Sequence, residues 1–133
     1  VIPALIRKVF SADAEIEVWG DGTATRSFLY VDDFARGLLS VAEKGPIGQA
    51  VNIGSDDEVS MKDLVNLILR LSGQTIKIRW NLDKPVGQQR RSCDTSLAKA
   101  SLGFSAEVKL EDGLKKTMDW FESELSAGRI TLS

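Results

Sequence analysis

Four cations are the side chains of this sequence best suited to chemistry: Arg26 in a run with Phe28 and Tyr30, and Lys84, Arg90 and Arg91 in one stretch. That stretch, Asn81 to Ser92, spans twelve positions, has only Leu82 and Val86 as sizeable apolar residues, and sets three cations against one acid, Asp83. Loops of that length are commonly functional. Pro85 and Gly87 shape its backbone so that the cations could converge. A guanidinium presents a planar fork of donors that grips phosphate oxygens in pairs, so adjacent arginines suit a diphosphate. A solvated basic loop is the competing reading. Arg26 shares a strand face with Phe28 and Tyr30 by the period of two. It could reach a phosphate at a sheet edge, stack on Tyr30, or pair with Asp21. Spacing alone leaves these open.

Other groups have simpler readings. Gly20-Asp21-Gly22 starts like a dinucleotide fingerprint but lies between two strand-like runs and opens no helix, so it is a turn. Asp32 and Asp33 precede an apolar helical run, where carboxylates satisfy free backbone donors and the helix dipole. Asp56-Asp57-Glu58 lacks calcium-loop spacing and reads as a solvated turn, with no metal assigned. The chain has no histidine and a single cysteine, Cys93, which excludes histidine-dependent nucleophiles, an internal disulfide and a multi-cysteine zinc site. No catalytic residue is assigned. Trp19, Trp80 and Trp120 are expected at core or interface positions.

The elements that must position these groups follow from hydrophobic period. Leu5, Ile6, Val9 and Phe10 predict a helix over 3–12, with Pro3 in its first turn. Glu15 to Trp19 and Arg26 to Val31 predict two strands, joined as an irregular hairpin. A helix follows, with Phe34, Ala35, Leu38, Leu39 and Ala42 on its apolar face and Gly45-Pro46 beyond its end. Ala50 to Gly54 predicts a short strand. Ser60 with Asp63 forms a capping box before Leu64, Val65, Leu67, Ile68 and Leu71, and Gly73 stops that helix. Thr75 to Trp80 alternates as a strand, Asp94 or Thr95 caps a helix to Leu102, and Leu110 to Leu125 is helical. Alternating strands and helices give an α/β fold: a small mixed sheet with packed helices.

The 133 residues fit one domain, with 43% hydrophobic and 27% charged residues. Seventeen basic and nineteen acidic residues, interspersed, give a net charge of −2, which argues against a nucleic-acid partner. No apolar run approaches the roughly 18 residues of a membrane span, so a reducing cytoplasmic compartment is expected. Val1 reads as a truncated start and not as a signal peptide.

Together these segments resemble the extended short-chain dehydrogenase/reductases that act on nucleotide sugars. Val18-Trp19-Gly20-Asp21-Gly22, then Arg26-Ser27-Phe28-Leu29-Tyr30-Val31-Asp32-Asp33, is similar to the family's aromatic-Gly-x-Gly, Arg, aromatic, Tyr or His, Val and Asp. Val51-Asn52-Ile53-Gly54-Ser55 resembles its last core strand. Lys84-Pro85-Val86-Gly87-Gln88-Gln89-Arg90-Arg91, then Asp94, Ser96, Ala98 and Leu102-Gly103-Phe104, resembles its terminal motifs. The subgroup closest in pattern contains GDP-fucose synthase-like enzymes.

The resemblance implies a Rossmann-type protein whose carboxy-terminal, substrate-binding part is this chain. Arg26 and Arg90 would contact the diphosphate or ribose of a nucleotide diphosphate sugar, with Arg91 able to substitute, and Val18 and Trp19 would lie beside the base. NAD or NADP would bind mainly elsewhere, on an amino-terminal Rossmann part bearing Gly-x-x-Gly-x-x-Gly, where a Tyr-x-x-x-Lys pair does the chemistry. Tyr30 is followed at the fourth position by Phe34, so this chain has no such pair and is expected to be inactive alone. The helix after Asp32 and the strand at Ala50 to Ile53 would pack on that part and expose apolar faces without it, opening a route to a homodimer. A non-catalytic interaction or regulatory domain of the same fold is the alternative.

Overall fold

The computed structural model describes residues 1–132 and forms, in chain order, α1 (Ile2–Ser11), β1 (Glu15–Trp19), β2 (Thr25–Ser27), α2 (Val31–Lys44), β3 (Glu58–Ser60), α3 (Met61–Ser72), β4 (Lys77–Asn81), β5 (Arg90–Arg91), α4 (Ser96–Leu102) and α5 (Leu110–Ser126). Helix boundaries follow local chemistry. Ser60 Oγ accepts the Asp63 N–H at 3.0 Å and donates to its carboxylate at 2.6 Å, which starts α3, and Gly73 ends it at φ +68°. Asp94 opens α4 by accepting the Ser96 N–H at 2.9 Å. No helix among the described residues is long and apolar enough to cross a membrane.

The predicted hairpin does not form. β1 pairs in parallel with β4, in register from Glu15 with Lys77 to Trp19 with Asn81, whereas β2 lies in a second sheet of order β3-β2-β5. The Gly20 N–H donates to the Asn81 carbonyl at 2.8 Å, carrying the parallel ladder past the point where a hairpin would reverse. A two-residue hairpin turn needs adjacent positive φ angles. Here Gly20 (φ +84°) and Gly22 (φ +82°) are separated by Asp21, whose carboxylate accepts from the backbone N–H and hydroxyl of Thr23 and redirects the chain. Gly22 also sits tight: a Cβ there would stand 2.7 Å from the Trp80 ring. Gly22→Ala should therefore destabilise the chain by about 2–3 kcal/mol, left-handed strain plus displacement of a ring, read from the urea midpoint.

Three further expectations change. β2 ends at Ser27, because Val31 already begins α2. The segment 50–54 is not a strand; it has no ladder partner, and the Asn52 amide donates instead to the Asp94 carbonyl at 3.0 Å. Trp19 (51% exposed) and Trp120 lie at the surface, which removes the core alternative for them and leaves the interface one.

The chain divides into two compact units, one of residues 1–24, 60–89 and from 111 on, the other of residues 25–59 and 90–110. In the first, Leu5, Ile6 and Val9 of α1, Ile16 and Val18 of β1, Leu64, Val65 and Ile68 of α3, and Leu114, Met118 and Phe121 of α5 are buried. In the second, Ala98, Leu102 and Phe104 are buried with Val41, Val51 and Ile53 packed against them.

Candidate functional site

The second unit gathers three of the four cations on one small sheet. Thr25 of β2 is in parallel register with Arg90 of β5, and Arg26 with Arg91. Glu58, on β3 at the other side of β2, ties this arrangement together: Arg90 Nε donates to both Glu58 carboxylate oxygens at 3.0 Å, and Arg90 Nη2 also meets that carboxylate. The Thr25 hydroxyl adds a bond to Glu58 at 3.1 Å. The Arg90 guanidinium holds the Glu58 carboxyl below the usual carboxylate range, despite the opposing effect of its partial burial, and Glu58 in turn raises Arg90. Arg26 donates to the Thr25 carbonyl at 2.6 Å, and Arg91 is exposed. Of the two adjacent arginines, only Arg90 is in an ion pair among the described residues.

The first unit holds the other candidates. Lys84 Nζ lies 5.9 Å from the centroid of the Trp19 ring, a cation over an aromatic face. A Cβ at Gly20 would stand 2.1 Å from Val86 Cγ1, so the 82–87 segment rests on the end of β1 only because residue 20 is glycine. Gln89 anchors the end of this segment by donating to the Thr23 hydroxyl at 2.9 Å. Val18 is buried, so its side chain belongs to the core, whereas Trp19 presents its ring at the surface.

Two acidic clusters do more than the sequence reading gave them. Asp33 is not a helix cap: α2 has no side-chain cap bond, and the Asp33 carboxylate reaches out of the helix to accept the N–H groups of Glu107 and Val108 at 2.9 and 2.8 Å and Arg36 at 2.6 Å. Its place in the first turn still suits the helix dipole. Asp56 and Asp57, expected in a solvated turn, line a recess of about 100 Å³ with Ser55, Thr95, Lys99 and Lys109. Asp56 is bonded to Lys99 and Thr95, and Asp57 lies 3.8 Å from Lys109, so the recess neutralises its own charges. Glu58 was missed as a site residue because its partners stand 33 and 32 positions away in sequence.

The chain is similar to several known proteins. The profile of the NAD dependent epimerase/dehydratase family matches residues 1–54. GDP-L-fucose synthase 1 of Arabidopsis thaliana is 38% identical over 125 residues, covering 91% of this chain and 38% of that protein. GDP-mannose 3,5-epimerase 1 of Oryza sativa subsp. japonica is 35% identical over 122 residues, covering 92% of this chain and 32% of that protein. Among solved structures, UDP-glucuronic acid 4-epimerase from Bacillus cereus, in complex with UDP-glucuronic acid and NAD, superposes with a TM-score of 0.82 at 31% identity, covering 92% of this chain and 39% of that one.

Residues 1–54 match that family's profile, and over nine tenths of its length the chain is similar to the relatives just named.

It spans about two fifths of the length of the first of these relatives, 38% of GDP-L-fucose synthase 1. Gly20-Asp21-Gly22, which starts like a dinucleotide fingerprint, turns between β1 and β2 and opens no helix. The chain also carries an exposed apolar face. Val31, Phe34, Leu38 and Leu39 of α2 are exposed, and with Ala35 and Ala42 they form a continuous stripe at helical spacing.

Proposed function

We propose that this chain is the nucleotide-sugar-binding portion of an NAD(P)-dependent epimerase, dehydratase or reductase, taking an NDP-sugar and, within that class, a GDP-sugar. The observation that carries the reading is the placement of Arg26 on the strand beside Arg90 and Arg91, which stand far from it in sequence. Guanidinium groups so spaced suit the oxygens of a diphosphate. Within the first unit, Lys84 over the Trp19 ring is a separate pairing of a cation with an aromatic surface. The GDP preference is supported by the Lys84-Pro85-Val86-Gly87 and Arg90 pattern and by relatives named for GDP-sugars.

The reaction of the whole protein would oxidise a sugar hydroxyl transiently with NAD(P) bound mainly on an amino-terminal Rossmann part. This chain, lacking a Tyr-x-x-x-Lys pair, contributes binding and no chemical step. The α2 stripe is the surface that the Rossmann part would cover. Left uncovered, the stripe favours a homodimer in concentrated solution. A cytoplasmic location belongs to the same reading.

The test is the thermal midpoint of the chain with GDP, UDP or dTDP added to about ten times the dissociation constant. A ligand that binds only the folded chain adds about 1.4 kcal/mol there, several degrees for a chain of this size. A rise for one base supports the reading and names the nucleotide. No rise with any of the three overturns it in favour of an interaction domain.

A further inference from the structure

The 82–89 segment belongs to the first unit and rests on the end of β1. It is tied down at both ends. The Asp83 N–H donates to the Asn81 side-chain oxygen at 3.1 Å, and the Gln89 amide donates to the Thr23 hydroxyl at 2.9 Å. Between these ties, Val86 fills the space that a side chain at position 20 would take, so an apolar plug seats the middle of the segment. That seat sets where Lys84, two residues earlier, can reach. Its ammonium lies 5.9 Å from the centroid of Trp19, the residue beside Gly20 in sequence. Trp19 is half exposed, and Lys84 stands over one face of its ring. A planar ring from solution reaches that face only when Lys84 leaves it. An exposed cation–π contact favours the covered state roughly two- to fivefold, and the buried part of Val86 adds to it. Residues 82–89 are all exposed, so the segment can lift while Ile16 and Val18 of β1 stay buried.

We propose that residues 82–89 form a strap that masks Trp19: Val86 on Gly20 latches the strap, and Lys84 occupies the ring face on which a planar aromatic ligand would stack. In the closed state Lys84 is committed to the protein's own ring. Opening makes the ring and the ammonium available together. The device lies wholly within the first unit and does not depend on the nucleotide-sugar reading, whose arginines stand in the second.

Photochemically induced nuclear polarisation by riboflavin, recorded on the whole chain, tests this, because a tryptophan gains signal only when the photoexcited planar flavin meets its ring. Trp120, 57% exposed against 51% for Trp19, is an internal reference. Wild-type Trp19 should gain less signal than Trp120. Lys84→Ala and Val86→Ala should each raise the Trp19-to-Trp120 ratio about twofold or more, as loss of an exposed cation–π contact or of its apolar latch provides. Lys84→Arg, whose guanidinium also stacks on aromatic faces, should keep the wild-type ratio. The urea midpoint should be nearly the same in all of these chains, since only the strap opens.

A ratio that Lys84→Ala leaves unchanged overturns the inference, because the ring is then not masked. A rise in Lys84→Ala without one in Val86→Ala overturns it by leaving a single side chain over the ring and no latched strap. A rise in Lys84→Arg as large as that in Lys84→Ala overturns it by removing the cation. None of these results bears on nucleotide binding, which titration with GDP, UDP and dTDP reads separately.

Discussion

Replacing Asp33 with alanine should cost the chain about 3 kcal/mol, the loss expected when a buried carboxylate with several donors is removed and its partners are left behind. Asp33 is 2% exposed. Without it, the N–H groups of Glu107 and Val108 lose their acceptor, and Arg36 loses the anion that orients it toward the Ser105 carbonyl and the Phe104 ring. The urea midpoint measures this, and a change under about 1 kcal/mol would contradict the role given to Asp33. The pH dependence has a definite sign. Burial raises the Asp33 carboxyl, but the Arg36 guanidinium and the two backbone donors outweigh it, so its pKa lies below the ordinary 3.8. A group depressed on folding stabilises the chain above its unfolded pKa, and the contribution disappears as pH falls through the folded value. The stability difference between wild type and Asp33→Asn should thus be constant from neutral pH to about 5 and should shrink as pH falls through and below about 4.

Phe104→Ala should be more damaging, at about 4 kcal/mol. The ring is 1% exposed and stands among Ala98, Leu102, Val41, Val51 and Ile53, with Arg36 Cζ 4.9 Å from its centroid. Its removal empties the middle of that cluster and also forfeits a cation–π contact of about 1 kcal/mol. Gly37 shows how closely the ring is packed: a Cβ there would lie 2.4 Å from Ile53 Cγ2 and 3.1 Å from the ring. Phe104→Leu, which keeps most of the volume, should cost about 1.5 kcal/mol. Because Arg36 touches both Asp33 and Phe104, the two alanine variants should be non-additive by about 0.5 kcal/mol or more. Strict additivity in denaturant titrations would contradict a shared network.

How far the sequence could be read depended on the range of each interaction. Ser60 with Asp63, Gly73, and the spacing of Leu114, Met118 and Phe121 are signals contained within a few turns of helix, and they mark α3 and α5 where the structure has them. The pairing of β1 with β4 joins residues some sixty positions apart, so alternation revealed two strands but not that they were partners. The adjacent run after Gly22 therefore looked like the other half of a hairpin. Asp33 illustrates the same limit: its position in a first turn signals a cap, but the donors at 107 and 108 that claim its oxygens leave no mark nearby. The cationic residues were legible as a set because arginine chemistry is local. Their division was not, since Arg90 and Arg91 are the same residue type side by side, and only strand alternation and Glu58 distinguish them.

The chain is expected to bind a sugar nucleotide through the arginine-bearing sheet of its second unit. Backbone amide shifts followed by NMR during titration with GDP, UDP and dTDP test it most directly, because they detect even weak binding and locate it. The expected result is saturable shifts centred on Arg26, Arg90 and Arg91, largest for GDP. A folded sample showing no saturable shift with any of the three, or shifts confined to other residues, would contradict it.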